Sequence, residues 1–142
     1  TTIWEHWDGM KDDGSMWSAD MNSFNHYAYG AIGEWMYRAM AGIEADPEHP
    51  GFKHAILYPR IGGNLKYTAG KYHSIYGDVG VKWEVQGKQI TLTVQIPVNT
   101  TAEIRLDQAK SVLESDGLTF IREADYMAAE AGSGTYQIVF EQ

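Results

Sequence analysis

Trp4, Trp7 and Trp17 fall in one short polar stretch that also holds Glu5, His6, Asp8, Asp12, Asp13 and Asp20. Indole rings beside carboxylates suit a sugar site. The C–H face of a pyranose stacks on an aromatic ring, and its hydroxyls need acceptors. A loop whose tryptophans merely anchor it to a core has the same composition, and a glutamate in such a loop is ordinarily a solvated carboxylate. Asp8, Asp12 and Asp13 do not match the ligand spacing of a calcium loop, and Lys11 intrudes between them, so a solvated turn is expected there. His49, His54 and His73 have no metal-ligand spacing and are expected on the surface. The residues call for no metal and no cofactor.

The elements that must position these groups differ sharply along the chain. Residues 1–21 hold no period of 2 or 3.6, and Gly9 and Gly14 flank Asp12-Asp13, so they read as a long loop. Long loops of this kind are usually functional or disordered, and six bulky apolar side chains argue against disorder. Phe24, Tyr27, Ala28, Ala31, Ile32, Trp35, Met36, Ala39, Met40 and Ile43 then follow helical spacing. They predict one helix over Asn22–Glu44, capped by Asn22 or Ser23 and ended by Pro47. Gly30 and Gly33 on a second face of that helix predict the close approach of another backbone. The helix is apolar nearly all round, and no second long helix follows to cover it.

From Pro50 the period becomes two. Phe52–Arg60 reads as a strand. Val79, Val81, Trp83 and Val85 alternate with polar residues, as do Ile90, Leu92, Val94 and Ile96 after a Gln86-Gly87-Lys88 turn. That is the strongest hairpin signal in the chain. Ala102–Leu106, Ser111–Glu114, Leu118–Ile121 after an Asp116-Gly117 turn, and Thr135–Phe140 continue the series. Short strands with regular turns indicate a sandwich or barrel.

Composition narrows the function classes. With 44% apolar residues, 142 residues can bury a core. Net charge is −8 and the eleven Lys and Arg are scattered singly, so no basic stripe exists for nucleic acid or an anionic membrane. No apolar run approaches the roughly 20 residues of a membrane span. The absence of Cys excludes disulfides and thiolate chemistry and leaves the compartment open. Thr1-Thr2-Ile3-Trp4 is not a signal peptide, and the chain is expected to begin within a longer polypeptide.

Two segments go beyond pattern. Thr1-Thr2-Ile3-Trp4-Glu5-His6-Trp7-Asp8 and Met21-Asn22-Ser23-Phe24-Asn25-His26-Tyr27-Ala28-Tyr29-Gly30-Ala31 closely resemble the end of the catalytic domain of bacterial α-L-rhamnosidases of glycoside hydrolase family 78. Ile96-Pro97-Val98-Asn99-Thr100-Thr101-Ala102-Glu103-Ile104 resembles a strand and turn of that family's C-terminal β-sandwich, and the spacing of Tyr76-Gly77 and Trp83 fits. The resemblance implies an α+β chain: residues 1–48 end an (α/α)6 catalytic barrel with its last helix, and residues 49–142 form an antiparallel β-sandwich. It also implies release of terminal rhamnose from rhamnose-containing glycosides or polysaccharides with inversion at the anomeric carbon.

An inverting glycosidase uses one carboxyl as acid and another as base, roughly 6.5–9.5 Å apart, with water between base and sugar. By resemblance Glu5 stands where the family places its general base and His26 where it places a sugar-lining histidine, with Trp4 and Trp7 as sugar contacts. The family's general acid lies in an upstream acidic motif that nothing in this chain matches. The upstream catalytic region is therefore an expected partner, and the isolated piece is expected to be inactive. The rival expectation is a non-catalytic carbohydrate-binding or structural sandwich displaying Tyr67, Tyr72, Tyr76 and Trp83. The Trp4-Glu5 segment separates the two, because a binding module has no reason to keep it.

Overall fold

The computed structural model describes residues 2–20 and 22–142, with only the backbone of Tyr29. Thr1 and Met21, which open the two quoted segments, lie outside the described residues. The chain divides into two units, Thr1–Trp35 and Met36–Gln142.

In the first unit the expected shapeless loop is folded back on itself. Met10 bridges Met16, and the Lys11 and Trp17 amides donate to the Ser15 and Gly9 carbonyls at 2.8 and 3.2 Å. The helix begins later than the periodicity predicts. Asn22 and Ser23 do not cap it: the Asn22 side-chain Nδ2 donates to the Gly9 carbonyl, and both backbone groups of Ser23 bond to Glu5. A 3-10 turn at Tyr27–Gly30, capped by His26, leads into α1, Ala31–Trp35. Nothing among the described residues lies within 4 Å of where a Cβ would stand on Gly30 or Gly33, so none of them makes the expected close approach. Ile32 and Trp35 remain at least half exposed on a helix that the sequence marks for burial.

The second unit opens with a π-helical turn, Met36–Ala41, and Gly42 rather than Pro47 ends the helical stretch. Gly42 has φ +75°, and its carbonyl accepts the Tyr58 amide at 2.7 Å. Ile43, expected on the helix, instead starts strand β1, Ile43–Ala45, and is buried in the sandwich core. A Cβ on Gly42 would stand 2.0 Å from the Pro59 nitrogen. Gly42→Ala is expected to cost about 2–5 kcal/mol, adding about 1–2 for left-handed backbone to about 1–3 for overpacking. A urea-unfolding midpoint unchanged by the substitution would contradict this account of the helix end.

The remaining strands are β2 His54–Leu57, β3 Tyr67–Ser74, β4 Gly77–Gln86, β5 Gln89–Ile96, β6 Thr101–Asp107, β7 Ser111–Glu114, β8 Ile121–Arg122, β9 Tyr126–Ala131 and β10 Gly134–Glu141. One sheet runs β1-β2-β6-β9-β8 and the other β3-β4-β5-β10-β7. Pairings are antiparallel except β2 with β6, which run parallel. The sandwich thus takes in β1, ahead of residue 49. The β4–β5 hairpin matches its sequence signal, with Gln86 paired to Gln89 across a two-residue turn and Gly87 at φ +66°. Val79, Val81 and Trp83 face Leu57, Ile104, Leu106, Ile138 and Phe140 in one apolar core. Leu118 and Phe120 pack against that core without forming the expected strand; only Ile121–Arg122 pairs.

Trp83 is fully buried, and its indole N–H donates to the Met40 carbonyl at 2.8 Å. This corrects the expectation that it is displayed for sugar. Of the four aromatics in that expectation, Tyr67, Tyr72 and Tyr76 are the ones left exposed.

Candidate functional site

Two segments of the first unit lie side by side and hold the candidate carboxylate. The Glu5 amide donates to the Ser23 carbonyl at 2.8 Å, and the His26 amide donates to the Ile3 carbonyl at 2.8 Å. Between these two backbone bonds the Glu5 side chain turns back: Oε2 accepts the Ser23 amide at 3.1 Å. One oxygen is thereby fixed and the other, Oε1, stands 3.9 Å from Nε2 of His26. Both side chains are about one quarter exposed, so the pair is reachable yet partly shielded from bulk water.

His26 is oriented from its other side. Its Nδ1 accepts the Ala28 amide at 3.2 Å, and the ring stacks on Tyr27 with centroids 5.1 Å apart. An imidazole that accepts at Nδ1 carries its neutral-state proton on Nε2, the nitrogen that faces Glu5. The backbone start of the 3-10 turn therefore sets both ring orientation and tautomer.

The predicted tryptophans part company. Trp4 is partly exposed and meets Phe24 edge-on, with centroids 4.7 Å apart and planes at 73°. It stands directly before Glu5 and keeps part of its indole open. Trp7 is 98% exposed and is not brought to the Glu5–His26 pair by any described contact. Sequence reasoning missed Ser23 and Phe24 as supports, and missed that His6 packs on Trp17 at 4.4 Å. Nothing local marks Ser23, since its bond to Glu5 spans eighteen positions. His6 Nε2 and Asn22 Oδ1 are buried without a hydrogen-bond partner among the described residues.

Asp13 behaves as a turn residue. Its Oδ1 accepts both the hydroxyl and the amide of Ser15, which hold its carboxyl below the usual range. Among the described residues no group of three His, Asp or Glu is placed to hold a metal ion. A carboxylate with one oxygen pinned by an amide and the other free beside an imidazole N–H can take a proton from a bound water while the ring holds a hydroxyl.

Residues 1–40 match the family model described as the bacterial alpha-L-rhamnosidase 6 hairpin glycosidase domain. Residues 42–119 match the one described as the bacterial alpha-L-rhamnosidase C-terminal domain. An alpha-L-rhamnosidase of Streptomyces avermitilis is 40% identical over 140 residues, covering 96% of this chain and 13% of the relative. The solved structure of a Streptomyces avermitilis alpha-L-rhamnosidase complexed with L-rhamnose superposes with a TM-score of 0.77 at 37% identity, covering 97% of this chain and 13% of that one. An alpha-L-rhamnosidase structure from Dictyoglumus thermophilum gives a TM-score of 0.78 at 26% identity, over 99% of this chain and 16% of that one. The chain thus spans roughly an eighth to a sixth of the length of these relatives.

Proposed function

We propose, from the premise that this chain belongs to the bacterial α-L-rhamnosidase family, that it is part of an inverting glycoside hydrolase releasing terminal α-L-rhamnose from glycosides or polysaccharides. Glu5 is the general base. The observation that carries this reading is its carboxylate, anchored at Oε2 by the Ser23 amide with Oε1 facing His26. In the reaction Oε1 takes a proton from water as the water oxygen bonds to the anomeric carbon from the face opposite the leaving group. A carboxyl from the upstream catalytic region protonates the departing glycosidic oxygen, so this piece alone is inactive. Residues 1–48 complete the catalytic barrel and residues 49–142 form the accessory sandwich, into whose first sheet β1 reaches from the preceding segment.

His26 binds the sugar, donating from Nε2 to a hydroxyl beside Glu5. Trp4 stacks against the sugar or aglycone, and Trp7 extends the same apolar contact outward. In the full-length enzyme His26→Ala is expected to lower kcat/KM for an aryl α-L-rhamnoside by about 3–10-fold, the worth of one hydrogen bond between neutral groups. His26→Asn separates binding from folding, because asparagine caps a helix start as well as any residue but lacks the imidazole. If His26→Asn restores full kinetics, or if His26→Ala lowers only the melting temperature, the role is structural and the assignment fails.

A further inference from the structure

The Glu5 carboxylate is fixed by the Ser23 amide, and the residue before Ser23 has a tie of its own. The His26 amide donates to the Ile3 carbonyl at 2.8 Å, and the Glu5 amide donates to the Ser23 carbonyl at 2.8 Å. Further along, Nδ2 of Asn22 donates to the Gly9 carbonyl at 2.9 Å. In chain order the bonds from Ile3 and Gly9 flank the bond from Glu5, so the pairing that sets the carboxylate is held from both ends. Asn22 is the covalent neighbour of Ser23, and whatever fixes its side chain limits the movement of the donor to Oε2.

The fit at Gly9 is close. Gly9 is buried, and its φ lies outside the left-handed region, so its backbone conformation does not demand glycine. A Cβ there would stand 2.7 Å from Oδ1 of Asn22, 3.3 Å from the His6 carbonyl oxygen and 3.4 Å from the Phe24 ring. The Asn22 amide is tethered through Nδ2 and cannot swing clear while that bond lasts. Glycine is therefore required by the approach of the amide.

Stability gives no reason for this asparagine. Its Oδ1 is buried without a hydrogen-bond partner among the described residues. Leaving a buried acceptor unmatched costs at least as much as one neutral hydrogen bond returns. The Gly9 carbonyl does not depend on Nδ2 either, since it also accepts the Trp17 amide at 3.2 Å. A buried unmatched group in a folded chain calls for another reason, and here the geometry supplies one.

We infer that Asn22 is a positioning residue for Glu5. Its amide, seated against Gly9, fixes Ser23, and the Ser23 amide in turn holds the carboxylate so that Oε1 faces the attacking water. Without the amide the Glu5–Ser23 pair is held from the Ile3–His26 end alone, and the base loses its aim. Asn22 acts through Ser23 and Glu5 and not on the sugar. The inference rests on the reading of Glu5 as the general base.

The test is a double-mutant cycle on the full-length enzyme, with kinetics on an aryl α-L-rhamnoside and a melting temperature for every variant. Asn22→Ala is expected to lower kcat by about 10-fold, between the worth of one hydrogen bond and that of a misplacement near 1 Å. KM and melting temperature stay near wild type, because the unmatched Oδ1 leaves together with Nδ2. In a Glu5→Gln background the same substitution lowers kcat no further, since no base remains to be aimed. Gly9→Ala is expected to lower kcat in the same way by displacing the amide. Added to Asn22→Ala it costs little more, because the shortened side chain leaves room for the methyl. A residue that only supports the fold would instead lower the melting temperature and reduce the rate equally in both backgrounds. Unchanged kcat in Asn22→Ala, a loss confined to KM, a large fall in its melting temperature, or an equal loss in the Glu5→Gln background overturns the inference while leaving Glu5 as the base. Near-wild-type kcat in Glu5→Gln alone sinks the catalytic reading, and the inference with it.

Discussion

Glu5→Gln in the full-length enzyme is expected to lower kcat by about 10²–10⁴-fold, the usual contribution of a positioned general base. KM and melting temperature should barely move. The reason lies in what glutamine keeps. Its amide oxygen can occupy the place of Oε2 and still accept the Ser23 amide, so the backbone pairing of residues 3–5 with 23–26 survives. What it loses is the second oxygen as a proton acceptor beside His26. The deficit therefore belongs in the chemical step, and the product side offers an independent check. Water activated by Glu5 attacks opposite the leaving group, so the first rhamnose released must have inverted configuration. A variant within a few-fold of wild type, or first-formed product of retained configuration, rules out Glu5 as the water-activating base.

Trp83→Ala is expected to destabilise the sandwich by about 3–5 kcal/mol, the usual range for deleting a buried aromatic. At roughly 4 °C per kcal/mol for a domain near 100 residues, the melting temperature should fall by about 12–20 °C. Trp83 is the largest of the fully buried side chains, and it lies between β3 and β5, paired with Thr68 and Leu92. Its indole N–H also satisfies the Met40 carbonyl in the π-helical turn, so removal frees a backbone acceptor as well as opening a cavity. Trp83→Phe weights that second effect more heavily, because it keeps a six-membered ring in the core while losing the donor and the five-membered ring. It is expected to cost about 1–3 kcal/mol, the penalty for leaving a buried acceptor unmatched. Equal loss from both substitutions would mean that the hydrogen bond, not the packing, carries the stability at this position. A small loss from Trp83→Ala would contradict the burial itself.

How much of this was legible beforehand follows from the range of each force. The β4–β5 hairpin shows in the residues because alternation records which side of a strand faces the core, and Gly87 supplies the turn. The strand β3 does not show: Thr68, Gly70, Lys71 and His73 carry no apolar alternation, and its eight pairings with β4 hold it as a strand. The strand β9 is alanine-rich and forms by pairing with β6. The parallel β2–β6 pairing joins segments whose contact nothing local announces.

The same division runs through the candidate site. The sequence by itself determined which residue types stand together: Trp4, Glu5 and His26 in motifs resembling a rhamnosidase, and a helical apolar period after them. Only the tertiary structure decided that Ser23 pins one oxygen of Glu5, that Nε2 of His26 faces the other, and that the helix starts at Tyr27 and stops at Gly42. Periodicity reports burial within a few residues of itself. Hydrogen bonds between segments eighteen or more positions apart depend on where the chain returns, and that is set by the packing of the whole.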